Sequence, residues 1–212
     1  MNYTAVIVAA GSGLRMNLGY NKVYYPIDGI PILQHAMSLF VEDEDCIQIV
    51  VVTDNEDYHK YIKENATGKI VIAQGGKTRQ ESVSNGVHAA ICEKIMIHDG
   101  ARPFLDKETL QRVKEALEIE DAVCVMVPCT DTIKRCQDGY IVETLVRQEL
   151  MAAQTPQAFT TALYRECMEK AEKDGYQATD DCALVERYSN TRIKIVEGSY
   201  KNKQSTTIED LQ

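Results

Sequence analysis

The chain has no tryptophan, and its four histidines lie far apart, without the spacing of a zinc site. Seven cysteines (46, 92, 124, 129, 136, 167 and 182) form no Cys-x-x-Cys pair and leave an odd count. Reduced, mostly buried thiols in a cytoplasmic protein fit this pattern better than a disulfide framework. No uncharged apolar run is long enough to cross a bilayer. The amino end lacks the basic region, apolar stretch and cleavage site of an export signal, so no membrane partner is expected. Positive charge is scarce as well: 23 Lys and Arg face 32 Asp and Glu, a formal net charge of −9. That balance argues against a nucleic-acid surface. An anionic substrate must then be held by a local cluster of cations against the global field, so the placement of each basic residue carries information.

The apolar segments alternate with helical patterns throughout. Strands are predicted over Ala5–Ala9, Ile47–Thr53, Ile70–Ala73, Ile95–His98, Ala122–Pro128 and Ile193–Val196, most of them without a polar face, as in strands covered on both sides. Amphipathic helices are predicted over Ile32–Phe40, in a run from Thr78 carrying Val83, Val87 and Ile91, in one with Leu110, Val113 and Leu117, and over Leu163–Lys173. Such alternation over 212 residues predicts one three-layer α/β/α domain, Rossmann-like, with a mainly parallel sheet. Ligands bind such sheets beyond the carboxyl ends of the strands. The turn at Gly11, the pair Gly75-Gly76 and Asp99 all fall there.

The first of these turns reads Thr4-Ala-Val-Ile-Val-Ala-Ala-Gly-Ser-Gly-Leu-Arg-Met16, with Lys22 shortly after. A strand running through small residues into a helix aims backbone N–H groups at one point, where an anion can sit. Arg15 and Lys22 add fixed positive charge. Met16 stands where a dinucleotide fingerprint needs its third glycine, and no Gly-Lys-Ser/Thr opens the helix, so neither the Rossmann nor the Walker motif is present. A tight turn with two solvated cations is the plain alternative, which this segment alone does not separate from a phosphate site.

Two strand-like arms flank Asp138-Gly139 within 131–146, a strong hairpin signal. A two-stranded ribbon is marginal alone, so it either folds back on its own domain or reaches a second subunit. Asp99 and Arg102 follow a buried strand; a lone Asp there is more often a helix cap than a metal or sugar ligand, because Asp is a favoured cap. Thr155-Pro-Gln157 and Thr179-Asp-Asp181 both look like N-caps. Together with Lys201-Asn-Lys203 these residues ring the strand ends with Arg, Lys and Thr, which suits a substrate carrying several phosphates.

With Ala-Ala-Gly-Ser-Gly-Leu-Arg-Met at 9–16 and Lys22, Gly75-Gly76 with Arg79 and Ser82, His-Asp-Gly-Ala-Arg-Pro at 98–103, Asp131-Thr132, Arg147 leading to Gln-Thr-Pro-Gln-Ala-Phe at 154–159, Thr-Asp-Asp at 179–181 and Glu197-Gly198, the chain resembles a known family along its whole length. It is similar to the 2-C-methyl-D-erythritol 4-phosphate cytidylyltransferases of isoprenoid precursor synthesis, which have the nucleotide-diphospho-sugar-transferase fold. The resemblance implies a single nucleotidyltransferase domain over 1–212 with a β-arm at about 131–147. The implied reaction joins CTP and a polyol phosphate and releases pyrophosphate. By the same resemblance Arg15, Lys22, Arg147 and Gln204 are catalytic, and Ala9, Ala10, Gly11, Gly13, Gly76 and Ser82 bind CTP. Asp99, Arg102, Thr132, Thr155 and Thr179 surround the acceptor. Mg²⁺ is expected to ride on the phosphates, with Asp99 the nearest carboxylate to assist it. The arm implies a homodimer.

Three positions depart from the family pattern. Asn21 replaces the usual proline, which implies a less rigid loop around Lys22. Lys77 stands where an acid is common, and Gln204 falls on a lysine of an Asn-x-Lys-x-Thr motif. Ribitol 5-phosphate cytidylyltransferases resemble the same motifs closely, so the acceptor stays open, as does a non-catalytic relative. A metal-dependent glycosyltransferase would want Asp-x-Asp after a strand, whereas Asp43-Glu44-Asp45 precedes one.

Overall fold

The computed structural model describes residues 1–11, 20–62 and 68–205. Its strands are β1 (Tyr3–Val8), β2 (Pro26–Ile27), β3 (Ile30–Pro31), β4 (Cys46–Thr53), β5 (Ile70–Gln74), β6 (Lys94–Asp99), β7 (Ala122–Pro128), β8 (Lys134–Gln137), β9 (Tyr140–Thr144), β10 (Met151–Thr160) and β11 (Lys194–Glu197). The helices are α1 (Ile32–Glu42), α2 (Asn55–Tyr61), α3 (Arg79–His88), α4 (Lys107–Ile119), α5 (Thr161–Asp174) and α6 (Asp181–Tyr188). Seven strands form one sheet in the order β11-β7-β10-β6-β1-β4-β5, parallel except for β10, which runs antiparallel between β6 and β7. All six predicted strands and four predicted helices are present, and the fold class is the expected one.

Alternation along β1 shows how the sequence builds three layers. Tyr3, Ala5 and Ile7 enter one apolar core with Leu33, Met37 and Phe40 of α1 and Val113 and Leu117 of α4. Val6 faces the opposite core, with Val83 and Val87 of α3 and Tyr164 and Met168 of α5. Burying a side chain such as Phe40 completely is worth roughly 1.5–3 kcal/mol, so the sheet is fixed from both faces. Gly86 brings α3 close to this sheet: a Cβ there would lie 2.5 Å from Val6 Cγ1 and 2.7 Å from Val52 Cγ2. The amino end of α3 is thereby held beside the carboxyl ends of β1 and β5.

One expectation needs correcting. Thr155 is not a helix cap; it lies in β10, and the strand was hidden by Pro156, which normally argues against a central strand. Pairing with β7 shifts register between Ala153 and Gln157, and this irregularity accommodates a residue that has no N–H to donate. The second segment, 179–181, is an N-cap as expected, with Asp180 the capping residue: its side chain accepts from Ala183 N.

The hairpin of β8 and β9 forms around Asp138 and Gly139, at φ 51° and 83°, as a two-residue turn with both central residues left-handed requires. Both of its strands are exposed throughout. Tyr140, Ile141, Val142 and Val146 are 77%, 66%, 46% and 56% exposed, so the arm does not fold back onto its own domain.

Candidate active site

A cleft of about 640 Å³ opens at the carboxyl ends of β1 and β6 and the amino end of α3. Ala9, Ala10 and Gly11 form its floor, Gly76, Lys77, Thr78, Arg79 and Ser82 one wall, and Asn21, Lys22, Asp99 and Gln204 the other parts of its rim. The small residues have a steric reason. A Cβ on Gly75 would collide with Ala10 Cβ, and one on Gly100 would lie 3.1 Å from Ala9 Cβ.

Local hydrogen bonds hold the α3 wall rigid. Thr78 Oγ1 accepts from Glu81 N at 3.1 Å, and the Glu81 carboxylate reaches back to Lys77 N at 2.8 Å. This resembles a capping box displaced by one residue. Ser82 Oγ accepts from Gly76 N at 3.0 Å and donates to Thr78 O at 2.9 Å.

The Lys22 rim is also built in. Lys22 opens a single 3-10 turn, Lys22–Tyr24, whose Val23 and Tyr24 are buried. Tyr24 Oη and Thr53 Oγ1 are 2.8 Å apart, which bolts the turn to the end of β4. Asn21 caps the turn by accepting from Val23 N at 3.2 Å, and its amide donates to Ala9 O at 2.5 Å. Where the family usually has a proline ring, Asn21 thus makes two hydrogen bonds.

The segment 199–205 straps across the strand ends. Ser205 N donates to Ala101 O at 2.8 Å, Asn202 Nδ2 to Thr155 O at 2.8 Å and Lys22 Nζ to Ser205 O at 2.6 Å. Gln204 lines the cleft and its amide lies 3.4 Å from Asp99 Oδ2. Neither Lys201 nor Lys203 is among the lining residues.

Asp99 is the only carboxylate among the described lining residues. It is 9% exposed, and its Oδ1 accepts from Arg79 Nη2 at 3.1 Å while Oδ2 accepts from Arg102 Nε at 3.3 Å. Burial pushes the carboxyl pKa up, but Arg79, Arg102 and the hydrogen bond from Arg79 outweigh it and hold the group below the usual carboxylate range. It is therefore no helix cap. Behind it, Asp99 N donates to Thr155 Oγ1 at 3.0 Å, and Thr155 Oγ1 lies 2.9 Å from His98 Nδ1. His98 Nε2 is 3.1 Å from Arg102 O, so the ring carries its proton on Nε2 and takes the Thr155 hydroxyl proton at Nδ1. Complete burial lowers this histidine to about 4, which keeps it neutral.

Of the residues predicted for the site, the cleft gathers Ala9, Ala10, Gly11, Lys22, Gly76, Ser82, Asp99 and Gln204. Gly13 and Arg15 lie outside the described residues. Arg102 and Thr155 stand behind Asp99 as its support. Thr179 is exposed beyond the cleft, as are Thr132 and Arg147 on the arm, where Arg147 donates to Thr130 O at 2.9 Å. Assignment by motif gave no role to Arg79 or Asp181. The available signal was the pair Asp180-Asp181, in which one residue caps α6 and the other is left for a different partner.

The donor set does not favour a metal bound directly by Asp99, because two guanidinium groups already occupy its oxygens. Among the described residues no group of three or more His, Cys, Asp or Glu is placed to hold an ion.

A cleft at the strand ends of a three-layer sheet, with a small-residue floor and a lysine on its rim, defines a nucleotidyltransferase-type α/β domain. The chain belongs to the 2-C-methyl-D-erythritol 4-phosphate cytidylyltransferase family, whose model matches residues 3–212. It is 40% identical over 216 residues to the enzyme of that name from Bacillus licheniformis, covering 100% of this chain and 93% of that protein. The one from Caldanaerobacter subterraneus subsp. tengcongensis is 43% identical over 220 residues, with 100% and 96% covered. Among solved structures, 2-C-methyl-D-erythritol 4-phosphate cytidylyltransferase from Francisella tularensis superposes with a TM-score of 0.86 at 27% identity, covering 100% of this chain and 97% of that one. A 4-diphosphocytidyl-2C-methyl-D-erythritol synthase from Anaerococcus prevotii gives 0.84 at 29%, covering 99% and 94%.

Proposed function

We propose that this cytidylyltransferase joins CTP to 2-C-methyl-D-erythritol 4-phosphate in isoprenoid precursor synthesis. A phosphate oxygen of the acceptor bonds to the α-phosphorus of CTP in line. The opposite P–O bond breaks, and pyrophosphate leaves with that electron pair. The observation that carries this reading is the floor of Ala9, Ala10 and Gly11 facing the Gly76–Ser82 wall, in a chain matched to the family over its full length. Chemistry of this kind asks the protein for positioning and charge stabilisation. Lys22 supplies charge at the triphosphate, and Asp99 and Gln204 face the acceptor. Mg²⁺ would enter on the triphosphate, keeping waters of its own and neutralising part of the phosphate charge, with no carboxylate of this chain required. The exposed arm supports a homodimer, and seven free thiols suit a cytoplasmic setting.

Pyrophosphate release assayed with CTP and each of two acceptors, 2-C-methyl-D-erythritol 4-phosphate and ribitol 5-phosphate, tests the reading; turnover with the second alone would overturn the acceptor. CTP is expected to be preferred over UTP, with ATP and GTP excluded, because the small-residue floor admits a pyrimidine edge and unpaired buried polar groups penalise the wrong base. Comparable turnover with ATP would refute that pocket.

Gln204 gives a further expected result. Its amide can hydrogen-bond a phosphate but supplies no charge, and charge-assisted bonds are about twice as strong. Gln204→Lys should lower the acceptor KM, or raise kcat/KM, by roughly tenfold. Because Lys203 does not line the cleft, Lys203→Ala should change acceptor kinetics little. A severe loss there would mean that Lys203 supplies the charge instead.

A further inference from the structure

Arg79 is the first residue of α3, an unfavourable place for a cation because the amino end of a helix carries partial positive charge. Its Nη2 lies 2.8 Å from Asp181 Oδ2 and 3.1 Å from Asp99 Oδ1, so one guanidinium bridges two carboxylates. The shorter contact is the one away from the nucleotide wall. Asp181 is 2% exposed, opens α6 and accepts the Tyr164 hydroxyl at 2.7 Å through its other oxygen. Tyr164 is itself buried in the core beneath α5. The anchor therefore draws on α3, α5 and α6 and touches no element of the Lys22 rim.

Arg79 lines the cleft, yet two anions already neutralise it, which makes it a poor clamp for an incoming phosphate. What it does to Asp99 is more specific. An unescorted carboxylate would repel both anionic substrates. Asp99 Oδ1 takes Arg79 Nη2 at 3.1 Å and Nε at 3.4 Å, and Oδ2 takes Arg102 Nε at 3.3 Å and the Gln204 amide at 3.4 Å. Two guanidinium groups thus neutralise Asp99, and the long, neutral Gln204 contact is the one that a polyol hydroxyl can displace.

We infer that Arg79 is a positioning residue: pinned by Asp181 outside the cleft, it holds the Asp99 carboxylate where Oδ2 exchanges the long Gln204 contact for a hydroxyl of the acceptor. This rests on the proposed function, since it needs a hydroxylated acceptor on the Asp99 side of the cleft. Thr155 fixes the backbone of Asp99, Arg102 holds its Oδ2 and Arg79 its Oδ1.

The test is steady-state pyrophosphate release with CTP and 2-C-methyl-D-erythritol 4-phosphate. Arg79→Gln is expected to raise the acceptor KM by roughly tenfold, the size of a lost charge-assisted bond, with the KM for CTP changing less than about twofold. Arg79→Lys should recover part of the loss, because it restores the charge without the fork that spans both carboxylates. In an Asp99→Asn background, Arg79→Gln should add little, since both changes act through the same carboxylate. Arg79→Gln leaves Asp181 buried without its cation, so Arg79→Gln/Asp181→Asn, which removes both charges, is measured beside it and should show the same acceptor-selective loss. Equal rises in both KM values, or full additivity with Asp99→Asn, would overturn the inference. A wild-type enzyme inactive with this acceptor would remove the proposed function and the inference together.

Discussion

Replacing Lys22 with alanine is expected to lower kcat at least about a hundredfold, with a much smaller change in the KM for CTP. The argument starts from how firmly the ammonium is placed. Asn21 caps the turn that carries it, Val23 and Tyr24 anchor that turn in the core, and the Ser205 carbonyl takes one ammonium proton at 2.6 Å. A donor held in this way meets the charge that grows as the α-phosphorus is attacked without first having to reorganise. Ground-state CTP carries its negative charge with or without that step, so the loss falls mainly on the transition state. Arg15 is expected to behave alike. The measurement is kcat and KM for CTP at saturating acceptor, and a Lys22→Ala enzyme with near-normal kcat would remove the assigned role.

The sequence was most legible where one physical signal acted alone. Apolar runs such as Cys46–Thr53 have no polar face to confuse them and became central strands. Asp138-Gly139 needed two left-handed residues and has them. The run from Thr78, with Val83 and Val87 at helical spacing, became α3. Legibility failed where tertiary contacts overrode local preference. β10 contains Pro156 and a run of polar residues, Gln154, Thr155 and Gln157, all buried because other elements satisfy them. Gln154 donates to Ser199 O and Gln157 to Asp180, pairings that no local pattern reveals. The short helix α2 was invisible for the opposite reason: only Tyr58 within it is buried, so it offers almost no apolar stripe.

The candidate site divides along the same line. Gly76 and Asp99 were readable from their places at the ends of strands, whereas Ser82 was named by the family resemblance alone. The Arg79–Asp181 bridge spans residues 102 apart in sequence, and Asp99 meets Gln204 over a separation of 105. A reading by motif names the cleft wall; the geometry adds what stands behind it. That explains why Thr155, expected to face the acceptor, instead holds Asp99 from the rear.

Mixing two inactive variants is expected to restore activity, and this tests the arm more sharply than mass alone. Arg147→Ala should impair use of the acceptor strongly while leaving CTP binding largely intact, although Arg147 is exposed and does not line the cleft of its own chain. The arm that carries it presents Tyr140, Ile141, Val142 and Val146 to solvent, an apolar surface that an isolated ribbon cannot bury by itself. In a two-fold dimer each arm would complete the neighbour's cleft. A heterodimer of one Lys22→Ala chain and one Arg147→Ala chain then holds one site with both defects and one with neither. Random reassortment makes half of the dimers mixed, so activity should rise from about a hundredth to about a quarter of wild type. Two variants that regain nothing after unfolding and refolding together, while each alone refolds to its own residual activity, would place Arg147 in the site of its own chain. Sedimentation showing a fully active monomer would remove the shared site altogether.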